Sequence, residues 1–95
     1  MLRRLLPDHR SEDWRDASGH VVVAEVACSP TWIGRSYEQL EGESGARVVA
    51  VNRYGEGFLP SSSSVVQEDD IVHAATLATD LDRVRRIFAG SPERP

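Results

Sequence analysis

The sequence predicts a small α+β domain with a mixed β-sheet in β-α-β-β-β-α order. Three observations predict it. Apolar residues alternate with polar or small ones in runs at 21–28, 46–53 and 71–77, the period-two pattern of strands. Two stretches, beginning at Ser36 and Thr79, carry apolar residues at helical spacing and close on glycine. Between them, Tyr54-Gly55-Glu56-Gly57 is a hairpin signal, because glycine takes positive φ without steric cost.

Each element follows from its own residues. Val22, Ala24, Val26 and Cys28 share one face of the first strand, with Glu25 on the other. Ser29, Pro30 and Thr31 break that strand, and Trp32 and Ile33 are expected to re-enter the core. Ser36 with Gln39 three residues on forms a capping box, and Tyr37 and Leu40 supply the buried face of the helix that follows. Gly42 and Gly45 limit its length. Ala46 to Arg53 is the second strand, Phe58 and Leu59 begin the return strand, and Pro60 ends it. Val65-Val66 is a short extended piece, Glu68-Asp69-Asp70 a turn, and Ile71 to Leu77 the last strand. Thr79 is expected to cap the closing helix, whose inner face is Leu81, Val84, Ile87 and Phe88. The strand-helix-strand opening favours a neighbouring parallel pair joined by a right-handed crossover.

The first seven residues, MLRRLLP, have helical spacing ended by Pro7, and residues 8–20 read as a linker in which Trp14 anchors on something apolar. The chain therefore divides into a linker helix and linker at 1–20, a folded domain at 21–90 and a tail at 91–95.

Composition narrows the function. A 95-residue chain has a small core, which association with a second copy would supplement. The net charge of -4 argues against nucleic acid, which needs a concentrated basic face. All 11 basic residues are arginine. Cys28 is the only cysteine, which rules out an internal disulfide and fits a reducing cytoplasm. No apolar run is long enough to span a membrane.

Catalytic and metal sets are not evident. The serines at 61–64 lack a nucleophile frame, and His73 lies mid-strand between Val72 and Ala74, where a hydrogen-bonded or solvent-facing role suits it better than that of a base. Three consecutive acids, Glu68, Asp69 and Asp70, do not have the alternate spacing of a calcium loop. Gly55-Glu56-Gly57 lacks the third glycine and the following helix of a phosphate loop. No catalytic residue, metal ligand or cofactor-binding residue is assigned.

Four segments in order carry a resemblance. AEVACSPTWIGRSYEQLE, GARVVAVNRYGEGFLP, VVQEDDIVHAA and LATDLDRVRRIF resemble the first strand and helix, the hairpin, the last strand and the closing helix of the TrkA family C-terminal domain, also called the RCK C-terminal domain. Arg53, Gly55, Pro60 and Asp70 fall in register with that family's pattern. The family's usual glycine before the aspartate is Asp69 here, so the turn must adjust. No Gly-rich loop follows a strand, so the family's nucleotide-binding half is not represented.

The resemblance implies a cytoplasmic module that dimerises, senses a small ligand and regulates potassium uptake through a membrane transporter subunit, to which it is peripheral. Some relatives bind cyclic di-AMP between two protomers. The matching positions here are Arg47, Val48 and Pro60, with Arg47 as the phosphate partner. The alternatives are a dimerisation scaffold that binds no ligand, and a regulatory domain of a cation/proton antiporter.

Overall fold

The computed structural model describes residues 13–93. Seven elements follow one another: β1 (Trp14–Arg15), β2 (Val21–Val26), α1 (Tyr37–Ser44), β3 (Arg47–Arg53), β4 (Glu56–Phe58), β5 (Ile71–Leu77) and α2 (Leu81–Ala89). The α+β class is that read from the sequence, and so is the element order from β2 onward; β1 is an addition. The helical stretch expected at 1–7 lies outside the described residues.

The strands form one sheet in the order β1-β2-β5-β3-β4. Every neighbouring pair is antiparallel. This corrects the expected parallel neighbours: β2 and β3 do run the same way, but β5 lies between them and pairs with both. The physical reason is in β5 itself. Val72 and Ala74 are fully buried on one face, and Ile71, Ala75 and Leu77 are apolar on the other, which suits a central strand. A bulge between Val48 and Ala50 places Val49 as an extra residue in β3.

The core lies on one face of the sheet. Ala24, Val26, Val51, Val72 and Ala74 point toward Leu40 of α1 and Val84 and Phe88 of α2, and the two helices touch each other over them. Burying a valine, leucine or phenylalanine side chain contributes roughly 1.5–3 kcal/mol. Trp32 is fully buried with them, and its indole N–H donates to the Ile87 carbonyl at 3.3 Å. Ile33, expected inside, is 46% exposed, because the short 3-10 turn at Pro30–Trp32 ends there and the extended backbone turns its side chain out.

Helix ends are satisfied by named groups. Ser36 caps α1, its hydroxyl accepting from the Gln39 amide at 3.0 Å, and Gly45 closes it at φ 80. The last carbonyls of α2 are met from the other end of the domain. The Ser29 amide donates to the Phe88 carbonyl, and the Ser29 and Thr31 hydroxyls both donate to the Gly90 carbonyl. Thr79 does not cap α2. It sits inside a 3-10 turn at Ala78–Asp80, fixed by the Ala78 amide donating to the His20 carbonyl at 2.7 Å.

Within the stretch read as linker, Trp14–Arg15 pairs with β2, a strand too short to leave a periodic signal. Asp16 holds the turn that follows. Hydrogen bonds from the Ser18 hydroxyl and the Val21 amide hold its carboxyl down at about 2. Trp14 is 55% exposed, not anchored on the core.

Candidate functional site

The polar centre of the domain is built from three elements. Asp70 immediately precedes β5, Arg53 lies at the end of β3 and Tyr37 at the first position of α1. Arg53 grips Asp70 in a two-pronged ion pair, Nε to Oδ1 at 2.8 Å and Nη2 to Oδ2 at 2.9 Å. The Tyr37 hydroxyl donates to Asp70 Oδ2 at 2.6 Å, and the Gln67 amide donates to the same oxygen at 3.1 Å. Arg53 also donates to the Val65 carbonyl at 3.1 Å and lies over the Phe58 ring, 4.7 Å from its centroid.

The side chain of Asp70 is 1% exposed and that of Arg53 is 26% exposed. Burial pushes the Asp70 carboxyl up, but the bonds from Arg53, Tyr37 and the Gln67 amide outweigh it and hold the group below the usual carboxylate range. Arg53 is pushed up by its bond to Asp70. Burial and the bond to Asp70 push the Tyr37 hydroxyl above its ordinary value. All three groups therefore keep their pairing form at neutral pH. The arrangement fastens the hairpin, the turn at 67–70 and the start of α1 to one another. It offers no proton to move and no free nucleophile.

Of the residues singled out for ligand binding, Pro60 lies beside Tyr37 of this centre, while Arg47 and Val48 lie at the opposite end of β3 from Arg53. Pro60 lines a shallow cleft of about 170 Å³ with Tyr37, Glu38, Glu41, Ser61 and Ser62. Val48 is buried, and its amide donates to Glu41 Oε2 at 2.7 Å. Glu41 thus links Val48 to the cleft of Pro60. Arg47 is exposed at the start of β3, paired with Ala75 of β5, and does not line that cleft. Sequence reading missed Tyr37 and Glu41 as polar partners. Tyr37 had a usable signal, since a buried tyrosine needs a partner for its hydroxyl.

The remaining chemical candidates have structural partners. Ser61 and Ser64 hydrogen-bond within their own loop, and the Ser64 carbonyl accepts from the Tyr37 amide at 3.0 Å. His73 Nδ1 lies 2.6 Å from Asp13 Oδ2. Glu68 and Asp69 are exposed in the turn, while Asp70 turns inward. Burial, with a smaller push from the Asp70 charge, drives the Cys28 thiol up to about 12, so it stays protonated at neutral pH. Among the described residues, no three His, Cys, Asp or Glu are arranged to hold a metal ion. No described helix is long and apolar enough to cross a membrane.

The fold defines a class: it is that of the RCK C-terminal domains. It is similar to the RCK C domain of the potassium transport protein KtrA solved with cyclic diadenosine monophosphate, at a TM-score of 0.59 and 19% identity over 67% of this chain and 79% of that one. It is also similar to the GsuK RCK domain, at a TM-score of 0.64 and 20% identity over 84% of this chain and 18% of that one. No family model matches.

The sequence narrows the class further. The chain is 45% identical over 93 residues, 98% of its length, to the Trk system potassium uptake protein TrkA of Streptomyces coelicolor, and spans 42% of that relative's length. The sequence likeness and the fold likeness agree with the four motifs and are consistent with a TrkA C-terminal domain.

Proposed function

We propose that this chain is the dimerising, ligand-sensing module of a potassium uptake regulator. It works at the cytoplasmic face of the membrane through a transporter subunit. The observation that carries the reading is the 45% identity to a potassium uptake protein along nearly the whole chain, joined to a fold similar to a KtrA domain solved with cyclic diadenosine monophosphate.

In this reading the ligand sits between two copies and is a cyclic dinucleotide. Arg47, exposed at the start of β3, takes a phosphate. Glu38 and Glu41 beside Pro60 repel phosphate, so that cleft receives the uncharged part of the ligand. Val48, buried on the opposite face of the strand, holds Glu41 through its amide and supports the cleft from within. Binding contacts both copies at once, and only a difference in affinity between two dimer geometries can do work on the transporter.

Thermal unfolding with cyclic dinucleotides, adenine nucleotides and divalent cations tests the proposal. A ligand at a hundredfold excess over its Kd stabilises by about 2.7 kcal/mol. The expected result is a concentration-dependent shift with a cyclic dinucleotide that Arg47→Ala abolishes. A shift unchanged by Arg47→Ala removes the assigned residue. No shift with any compound replaces the sensor by a scaffold that only holds two copies together.

A further inference from the structure

The tip of the β3–β4 hairpin carries two residue choices that the fold does not require. Tyr54 and Gly55 have φ 53 and 85, so both residues of the turn are left-handed. Glycine, asparagine or aspartate suits the first of these positions, and a bulky tyrosine there is an outlier. The Tyr54 ring is 79% exposed, and its hydroxyl meets no partner among the described residues. Gly57, in β4, has no left-handed φ, and a side chain added there would meet nothing nearer than the Val51 carbonyl at 4.0 Å. Glycine weakens a strand, and where packing does not demand it, it leaves room for another backbone to approach.

These residues line an open cleft of about 480 Å³ together with Arg53, Glu56 and Phe58. The strand that carries them, β4, lies at the edge of the sheet. Arg53 and Glu56 close the turn as a hydrogen-bonded pair, so Asn52 and Gly57 form the non-bonded pair that follows. The Gly57 N–H and carbonyl therefore point out of the sheet edge, away from β3.

We propose that this tip is a docking site for a short extended segment of a partner protein that carries an arginine. The segment adds a strand at the open edge of β4 and places its guanidinium in the cleft, against the Tyr54 ring and the Glu56 carboxylate.

The occupant follows from a comparison within the domain. Arg53 lies over the Phe58 ring at 4.7 Å and forks onto Asp70 at 2.8 and 2.9 Å. A ring and a carboxylate together hold that guanidinium. Tyr54 and Glu56 offer the same two groups at the tip of the hairpin, and Glu56 is exposed with no partner among the described residues. Asp70 neutralises Arg53, so Glu56 leaves the cleft with an uncompensated negative charge that attracts a cation and repels phosphate. Arginine suits it better than lysine, because a planar group stacks on a ring and forks onto a carboxylate. The outward N–H and carbonyl of Gly57 select a peptide over a free amine, since main-chain bonds to an edge strand supply affinity. A left-handed Tyr54 fits this role: strained backbone persists where a side chain has to be presented. The cleft shares no residue with that of Pro60, so the site goes beyond the function proposed above.

Amide chemical shifts of the labelled whole chain test the site as an acetylated, amidated Thr-Val-Arg-Val-Thr peptide is added. The expected result is movement of the Tyr54 to Phe58 signals that saturates with a Kd on the order of a millimolar. Glu56→Gln and Tyr54→Asn should each weaken binding about fivefold, the effect of an exposed charge pair or ring contact, and citrulline in place of the peptide's arginine should do the same. Methylguanidine alone should bind roughly tenfold more weakly than the peptide, because it makes no main-chain bonds. Both variants should respond to cyclic dinucleotides as the parent chain does, so failure of this site leaves the ligand-sensing function standing, and the reverse. Signals that stay still at about 10 mM peptide, tenfold above the expected Kd, overturn the site. So do signals that move only elsewhere, or binding that ignores both Glu56→Gln and citrulline. Methylguanidine binding as tightly as the peptide overturns the peptide as occupant.

Discussion

Arg53 and Asp70 stand 17 residues apart in sequence and meet in a two-pronged ion pair, at 2.8 and 2.9 Å, where the end of β3 passes the start of β5. Both residues lie in the segments by which the sequence resembles the family. The hairpin between them returns the chain only through Glu56–Phe58 before the serine loop leaves the sheet. Arg53 then reaches the Val65 carbonyl and the Phe58 ring as well, so one side chain gathers the hairpin, the loop and the last strand.

Removing either partner leaves the other uncompensated in a largely dry place. Arg53→Ala is expected to destabilise the domain by about 3 kcal/mol, since it strands a carboxylate that is 1% exposed. Arg53→Lys should recover less than half of that loss, because an ammonium cannot make both parallel bonds. Urea unfolding at pH 7 measures both variants. A loss below 1 kcal/mol for Arg53→Ala would show that the pair does not hold these elements together.

The titration directions give the pH dependence its shape. Asp70 is depressed in the folded state. Its contribution is therefore present above the ordinary carboxylate value of about 3.9 and lost as pH falls through the folded value. Cys28 and Tyr37 are raised, so their contributions are present below their ordinary values and lost as pH climbs past them. The Cys28 window runs from its ordinary value of 9.0 to about 12. Melting temperature against pH should fall at both ends. Asp70→Asn should flatten the acid side, and Tyr37→Phe together with Cys28→Ser the alkaline side. An alkaline limb unchanged in that double variant would assign the loss to other groups.

Tyr37→Phe at neutral pH isolates one hydrogen bond. The ring stays, so packing is kept, while the 2.6 Å bond to Asp70 is lost. A bond to a charged acceptor contributes about 1.5–3 kcal/mol, and that loss is expected in urea unfolding. The double-mutant cycle with Arg53→Ala should show coupling above 0.5 kcal/mol, because both groups bind the same carboxylate. Additive losses would mean that Tyr37 and Arg53 act independently.

How far the sequence reveals this domain follows from where its signals are local. Val72, Ala74 and Thr76 alternate with Ile71, Ala75 and Leu77, so the bounds of β5 were readable to the residue. Ser36 and Gly45 act within one helix and cap it as expected, while the Gln39 side chain, read as the other half of a capping box, donates to Glu43 Oε2. What escaped reading depends on distant partners. The insertion of β5 between β2 and β3 leaves no mark in either of those strands. Thr79 fails to cap because a carbonyl at His20 holds the preceding turn. The link from Glu41 to the Val48 amide bridges a helix and the strand after it, and neither residue type announces it. Arg47, Val48 and Pro60 came from family resemblance. Contacts in the fold join Val48 to the cleft of Pro60 through Glu41 and leave Arg47 on another surface.

The turn into β5 offers the last test. Asp69 has φ 69 and Tyr54 has φ 53, both left-handed without being glycine. Left-handed backbone costs an ordinary L-residue roughly 1–2 kcal/mol, less for aspartate, whose short polar side chain can bond locally. The resembling family usually has glycine where Asp69 stands, and the observed φ gives the reason. Asp69→Gly should therefore stabilise the domain by about 0.5 kcal/mol, relief of strain being partly cancelled by the freer unfolded chain. Tyr54→Asn at the hairpin tip should gain about 1 kcal/mol, because a bulky exposed ring is replaced by a residue that tolerates this backbone. Chemical denaturation resolves both. If Tyr54→Asn instead destabilises the isolated domain, the ring at the tip contributes packing that its 79% exposure does not reveal, and the strain argument fails there.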